Sequence, residues 1–175
     1  MATSPMALRR IAKTFCGTLF FVLLGIFTGL ISAYFNKIFI VIEEFFERIK
    51  KKKTRLIFGG ITLGIMIFFI PPLYGEGFET IVSLLNNNYQ EVFDHSLFYD
   101  QRENMVIVLA LLLGVVFLKV VASGVTFGAG GVGGVFAPSL FIGSTSGFVF
   151  SKSFNHFGDF SLSTTNFTLV GMAGL

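Results

Sequence analysis

The sequence predicts an all-α, polytopic integral membrane fold, and three observations lead there. The 175 residues are 53% hydrophobic and only 13% charged, with a mean hydropathy of +0.79, whereas a soluble domain is about 25% charged. Apolar runs at residues 14–35, 56–73 and 104–127 approach or reach the roughly 20 residues that a helix needs to cross a bilayer. Between them lie a basic cluster and, after the Pro-Pro pair that ends the second run, a polar stretch rather than long soluble segments. The length accommodates about four to six membrane helices. The net charge of +3 comes mostly from clustered residues, which argues for a topology signal and against a nucleic-acid surface. Cys16 is the only cysteine, so no intrachain disulfide forms, and His95 and His156 lack the spacing of metal ligands.

The first element is expected over residues 14–49. Arg9, Arg10 and Lys13 precede the apolar run as they would in a secretory leader. That run is too long for such a leader, however, and no small-residue cleavage site follows it, so a membrane helix is the better reading. Residues 14–35 form about 30 Å of helix. Beyond them Ile38, Val41, Ile42, Phe45, Phe46 and Ile49 recur at helical spacing, with Glu43, Glu44, Glu47 and Arg48 on the other face. One long, tilted helix whose end emerges from the membrane fits, with Glu44 and Arg48 as an i,i+4 pair. Gly25 and Gly29 form a small-xxx-small pair that permits close helix packing.

Arg48, Lys50, Lys51, Lys52, Lys53 and Arg55 make a basic loop. It reads as a positive-inside signal rather than a lipid-headgroup site, which puts the loop in the cytoplasm. Its six basic residues outnumber the three at the N-terminus, which then face the opposite side. The second span, residues 56–73, is stopped by Pro71-Pro72. After a turn at Tyr74-Gly75-Glu76-Gly77, residues 78–85 predict a short surface helix and residues 86–102 a polar loop in which Asn86-Asn87-Asn88 ends a helix. Residues 104–127 predict a third long helix containing Lys119. An intramembrane lysine either supports a functional site or snorkels and caps nearby carbonyls. Residues 135–149 predict a half-helix of about 22 Å, in which Gly143, Ser144, Thr145, Ser146 and Gly147 suit tight packing. A polar loop over 151–163 and the beginning of a further helix from residue 166 complete the chain, which stops within an apolar run as if truncated.

The stretch Gly128-Ala129-Gly130-Gly131-Val132-Gly133-Gly134-Val135-Phe136-Ala137-Pro138-Ser139-Leu140 carries the functional signal. Glycine lets backbone approach a ligand, and a helix N-terminus offers unpaired N–H groups and positive partial charge. Three readings compete. Gly128-x-Gly130-x-x-Gly133 matches a dinucleotide fingerprint, but no acidic residue follows about 20 positions on, and the preceding run is too long and apolar for a Rossmann strand. A purely structural turn explains glycines but not Pro138. Proline in the first helical turn leaves the N–H groups of Val135, Phe136 and Ala137 as donors, and discontinuous membrane helices direct such ends at anionic substrates.

The third reading is a resemblance. Gly133-Gly134-Val135-Phe136-Ala137-Pro138-Ser139-Leu140 resembles the Gly-x-Phe-x-Pro signature of the CLC family of chloride channels and chloride–proton antiporters. Lys119 lies where bacterial members usually have a basic residue. Phe141-Ile142-Gly143 and Val170-Gly171-Met172-Ala173-Gly174 continue the likeness, and residues 25–37 and Gly75-Glu76-Gly77-Phe78 match more weakly. The resemblance implies a subunit of two inverted halves, paired as a homodimer with one pore each, in which helix N-termini hold chloride. It implies Val135 and Phe136 as backbone N–H donors to chloride. Gly133, Gly134, Ala137 and Pro138 would shape the loop and helix start, and Lys119 would be a supporting charge. The family's serine-bearing and gating-glutamate motifs are absent, and its tyrosine ligand and proton-relay glutamate would fall outside residues 1–175. Glu43, Glu44, Glu47, Glu76 and Glu79 take none of these roles.

The whole chain is thus expected to be a single transmembrane domain, most of the second repeat of a CLC-like subunit. The implied function is chloride transport in the membrane, expected to be a bacterial inner membrane, with chloride as the transported ligand, no cofactor, no metal and no enzymatic chemistry. Its partners would be chloride, the lipid bilayer, the remainder of the subunit and a second subunit. The isolated chain is expected to be inactive. The alternative is a structural or assembly membrane protein without transport activity.

Overall fold

Six α-helices and one 3-10 turn make up the computed structural model, which describes residues 5–75, 77–88, 92, 104–132, 134–158 and 160–175, with side chains from Gly17 onward. The helices are α1 (Pro5–Glu47), α2 (Lys52–Phe69), α3 (Phe78–Leu85), α4 (Met105–Gly128), α5 (Phe136–Gly158) and α6 (Thr164–Ala173), with the 3-10 turn at Pro71–Leu73. No strand occurs among the described residues.

Helix α1 is one continuous rod of 43 residues, about 65 Å long. That is roughly twice the hydrocarbon thickness, so a tilted helix with an emergent end, as expected, is the geometry that fits. It begins at Pro5, earlier than the expected Thr14, because nothing between them breaks a helix. It ends at Glu47, so Arg48 falls outside it and no ion pair with Glu44 forms among the described residues. Helix α2 starts at Lys52, inside the basic run. Its apolar portion, residues 56–69, is about 21 Å, shorter than the expected span. Ile70, extended because a proline follows it, leads into the 3-10 turn. By length and composition, the described helices able to cross a membrane are α1 over Gly17–Glu47 and α4 over Met105–Gly128.

Helix α3 occupies the expected residues and turns Ile81 and Leu84 inward. It ends at Asn86, with Asn87 left-handed (φ 63). Most of the polar loop beyond it, His95 included, lies outside the described residues, as do Glu76 and Asp159. Asn104 caps α4, its side chain accepting from Val106 N–H at 3.2 Å.

Helix α5 corrects the half-helix expectation. It has 23 residues and runs through to Gly158, taking in much of the stretch read as a polar loop. Composition hid the spacing of Phe150 and Phe154, whose rings pack tilted on each other, with Phe154 also edge-on to Phe20 of α1. Asn155 then closes the α5–α6 connection, donating to Leu162 O at 2.9 Å and accepting from Leu162 N–H at 2.7 Å.

The core follows α5, in which every residue from Phe141 to Ser151 is buried. One cluster joins Ile31 and Phe35 of α1, Val116 and Val120 of α4, and Phe141 and Ile142 of α5. A second joins Leu84, Val108, Leu109, Leu112, Phe148 and Val149, and a third Phe20, Leu24, Phe150 and Phe167. The outside is apolar too. On α2, only Gly59 is buried, while Leu56, Ile57, Ile61, Ile65 and Phe68 are exposed. A helix apolar on all sides yet unburied belongs in lipid.

Close backbone approach makes the tightest contact, α5 on α6. A Cβ on Gly143 would meet Gly171 O, one on Gly147 would meet Phe167 O, and one on Gly171 would meet Gly143 O. The expected packing role of Gly143 and Gly147 is therefore realised. The Gly25–Gly29 pair is not used, since nothing lies within 4 Å of either Cβ position. Instead α1 packs on α4 through Gly124, against Ile42, and Gly128, against Phe46.

These contacts predict opposite effects of two glycine substitutions. Gly147→Val should cost about 3 kcal/mol through overpacking against α6. Gly64→Ala, in open space within α2, should be neutral or stabilising by up to about 1 kcal/mol. Unfolding in detergent micelles followed by helical circular dichroism measures both.

Candidate anion site

The glycine-rich stretch divides into three parts with different jobs. Gly128 is the last residue of α4 and is buried against Phe46. Ala129, Gly130 and Gly131 end the helix: Gly130 is left-handed (φ 97) and its N–H donates to Phe127 O at 2.9 Å, while Gly131 N–H donates to Thr126 O at 2.9 Å. This pair of bonds is the Schellman closure of a helix C-terminus, with glycine where a Cβ would be strained. The structural reading thus accounts for Gly128, Gly130 and Gly131. The dinucleotide reading fails because residues 120–127, which would have to be a strand, are helical.

What remains is the start of α5. Gly133 lies outside the described residues. Gly134 is exposed, and a Cβ there would approach only Phe136 N, at 3.9 Å. Val135 precedes the helix and accepts from Ser139 N–H at 3.1 Å, which closes the first turn. Phe136 and Ala137 are the first two helical residues and Pro138 the third. Proline has no N–H to leave unpaired. The N–H groups of Val135, Phe136 and Ala137 make no hydrogen bond to a described residue. No acidic side chain stands in the first turn to neutralise them. The end is open: Phe136 is 73% exposed and Val135 40%. A long helix therefore presents about half a positive charge at an unblocked N-terminus, while its middle, Phe141 to Ser151, is buried.

Lys119 lies in α4 away from that end. It is 3% exposed, so it does not snorkel. Its Nζ donates to Leu73 O at 2.9 Å and Gly75 O at 2.7 Å and stands 5.0 Å from the centre of the Phe141 ring. Of the two alternatives for this residue, carbonyl capping is the one the geometry contains. Phe141 and Gly77 stood in the sequence only as parts of the family likeness; their convergence on Lys119 and on each other comes from the structure. Gly77, left-handed (φ 80) at the N-cap of α3, packs so closely on Phe141 that a Cβ would overlap the ring.

The basic run sits at the same end of the bundle as the glycine stretch. Gly59 of α2 packs on Ala129, and Arg55 reaches 3.9 Å from the Cβ position of Gly130. Among the described residues no group of His, Cys, Asp and Glu could hold a metal.

This chain of apolar-sided helices with an open helix start has relatives among known families. The description "Voltage gated chloride channel" matches residues 9–175. The chain belongs to the CLC family. Its similarity to curated relatives is moderate. It is 30% identical over 165 residues to the H(+)/Cl(-) exchange transporter ClcA of Vibrio parahaemolyticus, an alignment that covers 89% of the chain and 31% of that protein. It is 29% identical over 139 residues to ClcA of Vibrio campbellii, covering 76% of the chain and 26% of the relative. It is also 30% identical over 122 residues to the voltage-gated ClC-type chloride channel ClcB of Escherichia coli, covering 69% and 25%. The chain thus spans about a third or less of the length of these relatives. No solved structure matches it.

The division of labour among the glycines predicts an order of stability. Gly130→Ala, forced into the left-handed region, should cost about 1–2 kcal/mol, and Gly134→Ala should change stability by less than about 0.5 kcal/mol. Thermal unfolding of the two variants side by side checks that order.

Proposed function

We propose that this CLC-family chain forms one wall of a chloride pathway across a membrane, as part of the second inverted repeat of a transport subunit. The observation that carries the reading is that the N–H groups of Val135, Phe136 and Ala137 make no hydrogen bond to a described residue, on the open end of a 23-residue helix with no acidic residue in its first turn. Chloride is a monatomic anion without hydrogen-bond donors, so backbone N–H groups and helix partial charge suit it. Val135 and Phe136 act as the donors through their backbone. Gly133, Gly134, Ala137 and Pro138 set the course of the loop and the helix start, and Lys119 is a supporting charge.

The names of the relatives support chloride as the ion carried: the ClcA proteins are named exchange transporters for protons and chloride, and ClcB a chloride channel. In this reading chloride is bound and released with no covalent step, and the subunit pairs as a homodimer. It lies in a bacterial inner membrane with Arg48 to Arg55 on the cytoplasmic side. The other walls of the site come from the remainder of the subunit, so the 175-residue chain alone does not conduct.

Two measurements test this. In a complete subunit reconstituted into liposomes, Phe136→Pro removes one N–H at the helical position where proline is best tolerated, and chloride efflux should fall by about tenfold or more, the cost of losing one charge-assisted hydrogen bond. Phe136→Ala keeps the N–H and should retain most of the flux. Equal efflux from both variants would favour a structural or assembly role. The 175-residue chain reconstituted alone should give no selective efflux, and robust selective efflux would overturn its assignment as a single wall.

A further inference from the structure

We propose that Lys119 is a positioning residue that locks α5 in place through Phe141, and so sets where the N–H groups of Val135 and Phe136 stand. The lock itself rests on geometry alone; its consequence for chloride rests on the function proposed above.

A lysine buried to 3% exposure in an apolar helix survives only if its ammonium is compensated, because stripping water from it is costly. The compensation comes from outside its own helix. Leu73 and Gly75 lend carbonyls to which no described backbone N–H donates. Gly75 takes a left-handed conformation (φ 62) there. The face of Phe141 supplies a further, cation–π contact at 5.0 Å. Phe141 is fully buried, and Gly77 abuts the same ring. Four pieces of chain therefore converge on one ammonium and one ring: α4, the turn after α2, the cap of α3, and α5.

The position of Phe141 gives the lock its reach. It follows Phe136 by five residues along α5, about 7.5 Å of rigid helix. A helix so short between these points transmits an axial or rotational shift at Phe141 directly to its first turn. A neutral side chain of similar length fills the space but donates nothing, which removes both of the ammonium's hydrogen bonds and leaves the ring without its cation.

The test uses the 175-residue chain in nanodiscs, with Cys16→Ser as background and spin labels at two exposed positions, Val82 of α3 and Phe157 of α5. Electron–electron distance measurements compare Lys119→Met, Lys119→Arg and the control Val116→Ala, which opens a cavity in the same core without touching the ammonium. Lys119→Met should displace the distance by about 1.5–5 Å, between one residue and one turn of helix, or broaden it by as much. Lys119→Arg and Val116→Ala should keep the parent distribution. An unchanged distribution in Lys119→Met overturns the proposal, as does an equal change in Val116→Ala, which would reduce Lys119 to general stability. If Lys119→Met does not fold, Phe141→Leu is read by the same criteria. Chloride efflux from the complete subunit gives the second readout, with a severalfold loss in Lys119→Met and recovery in Lys119→Arg. Distances that behave as expected in a parent without chloride efflux would sink the transport reading and leave the lock standing.

Discussion

Hydrocarbon offers a backbone no hydrogen-bond partner, and every helix end within it must find one. Much of this structure is an answer to that constraint. The C-terminus of α4 closes on itself through Gly130 and Gly131. The carbonyls left at Leu73 and Gly75 are taken by a lysine that has crossed over from another helix. Hydroxyls follow the same rule: Thr28, Ser123, Ser144, Thr145, Ser146, Ser151 and Thr168 each bond a carbonyl three or four residues back. Among the described residues no buried side-chain nitrogen or oxygen lacks a partner. The first N–H groups of α5 make no hydrogen bond to a described residue, and α2 and α3 likewise begin without a side-chain cap.

The second theme is proximity without hydrophobic drive. Where lipid is as apolar as leucine, helices associate through close packing, which favours small residues at their crossings. Gly143, Gly147 and Gly171 bring the backbones of α5 and α6 into contact, and Gly124 and Gly128 admit Ile42 and Phe46 of α1. The phenylalanines fill what the glycines leave open, as in the rings of Phe20, Phe150, Phe154 and Phe167. The outward faces of α1 and α2 stay apolar because their neighbour is lipid. Helix α5 is thereby held through its buried middle, Phe141 to Ser151, and its two ends are exposed.

Much of this was legible in the residues. The long first helix, the limits of α3, the start of the third long helix at residue 104 and the packing use of Gly143 and Gly147 follow from local rules of spacing and composition. The errors share a cause. Residues 151–158 read as loop because they are polar, yet Phe150 and Phe154 at helical spacing hold them in α5. Gly25 and Gly29 have the spacing of a packing pair and touch nothing, whereas Gly124 and Gly128 have the same spacing and carry the α1–α4 contact. Spacing shows that a close approach is possible; which face meets a partner is a property of the assembled bundle.

The glycine-rich stretch shows the same boundary. By itself the sequence determined that a helix begins near Pro138 with free donors before it, since proline at that position and an absence of acidic side chains are local facts. It also determined the family, through the run from Gly133 to Leu140. Only the tertiary structure decided that Gly128, Gly130 and Gly131 serve packing and helix closure, and that the charge of Lys119 is spent on two distant carbonyls and one ring. The reason is physical. Backbone conformation and helix-end chemistry depend on residues a few positions apart, whereas the partner of a buried cation is set by contacts 44 and 46 residues away along the chain.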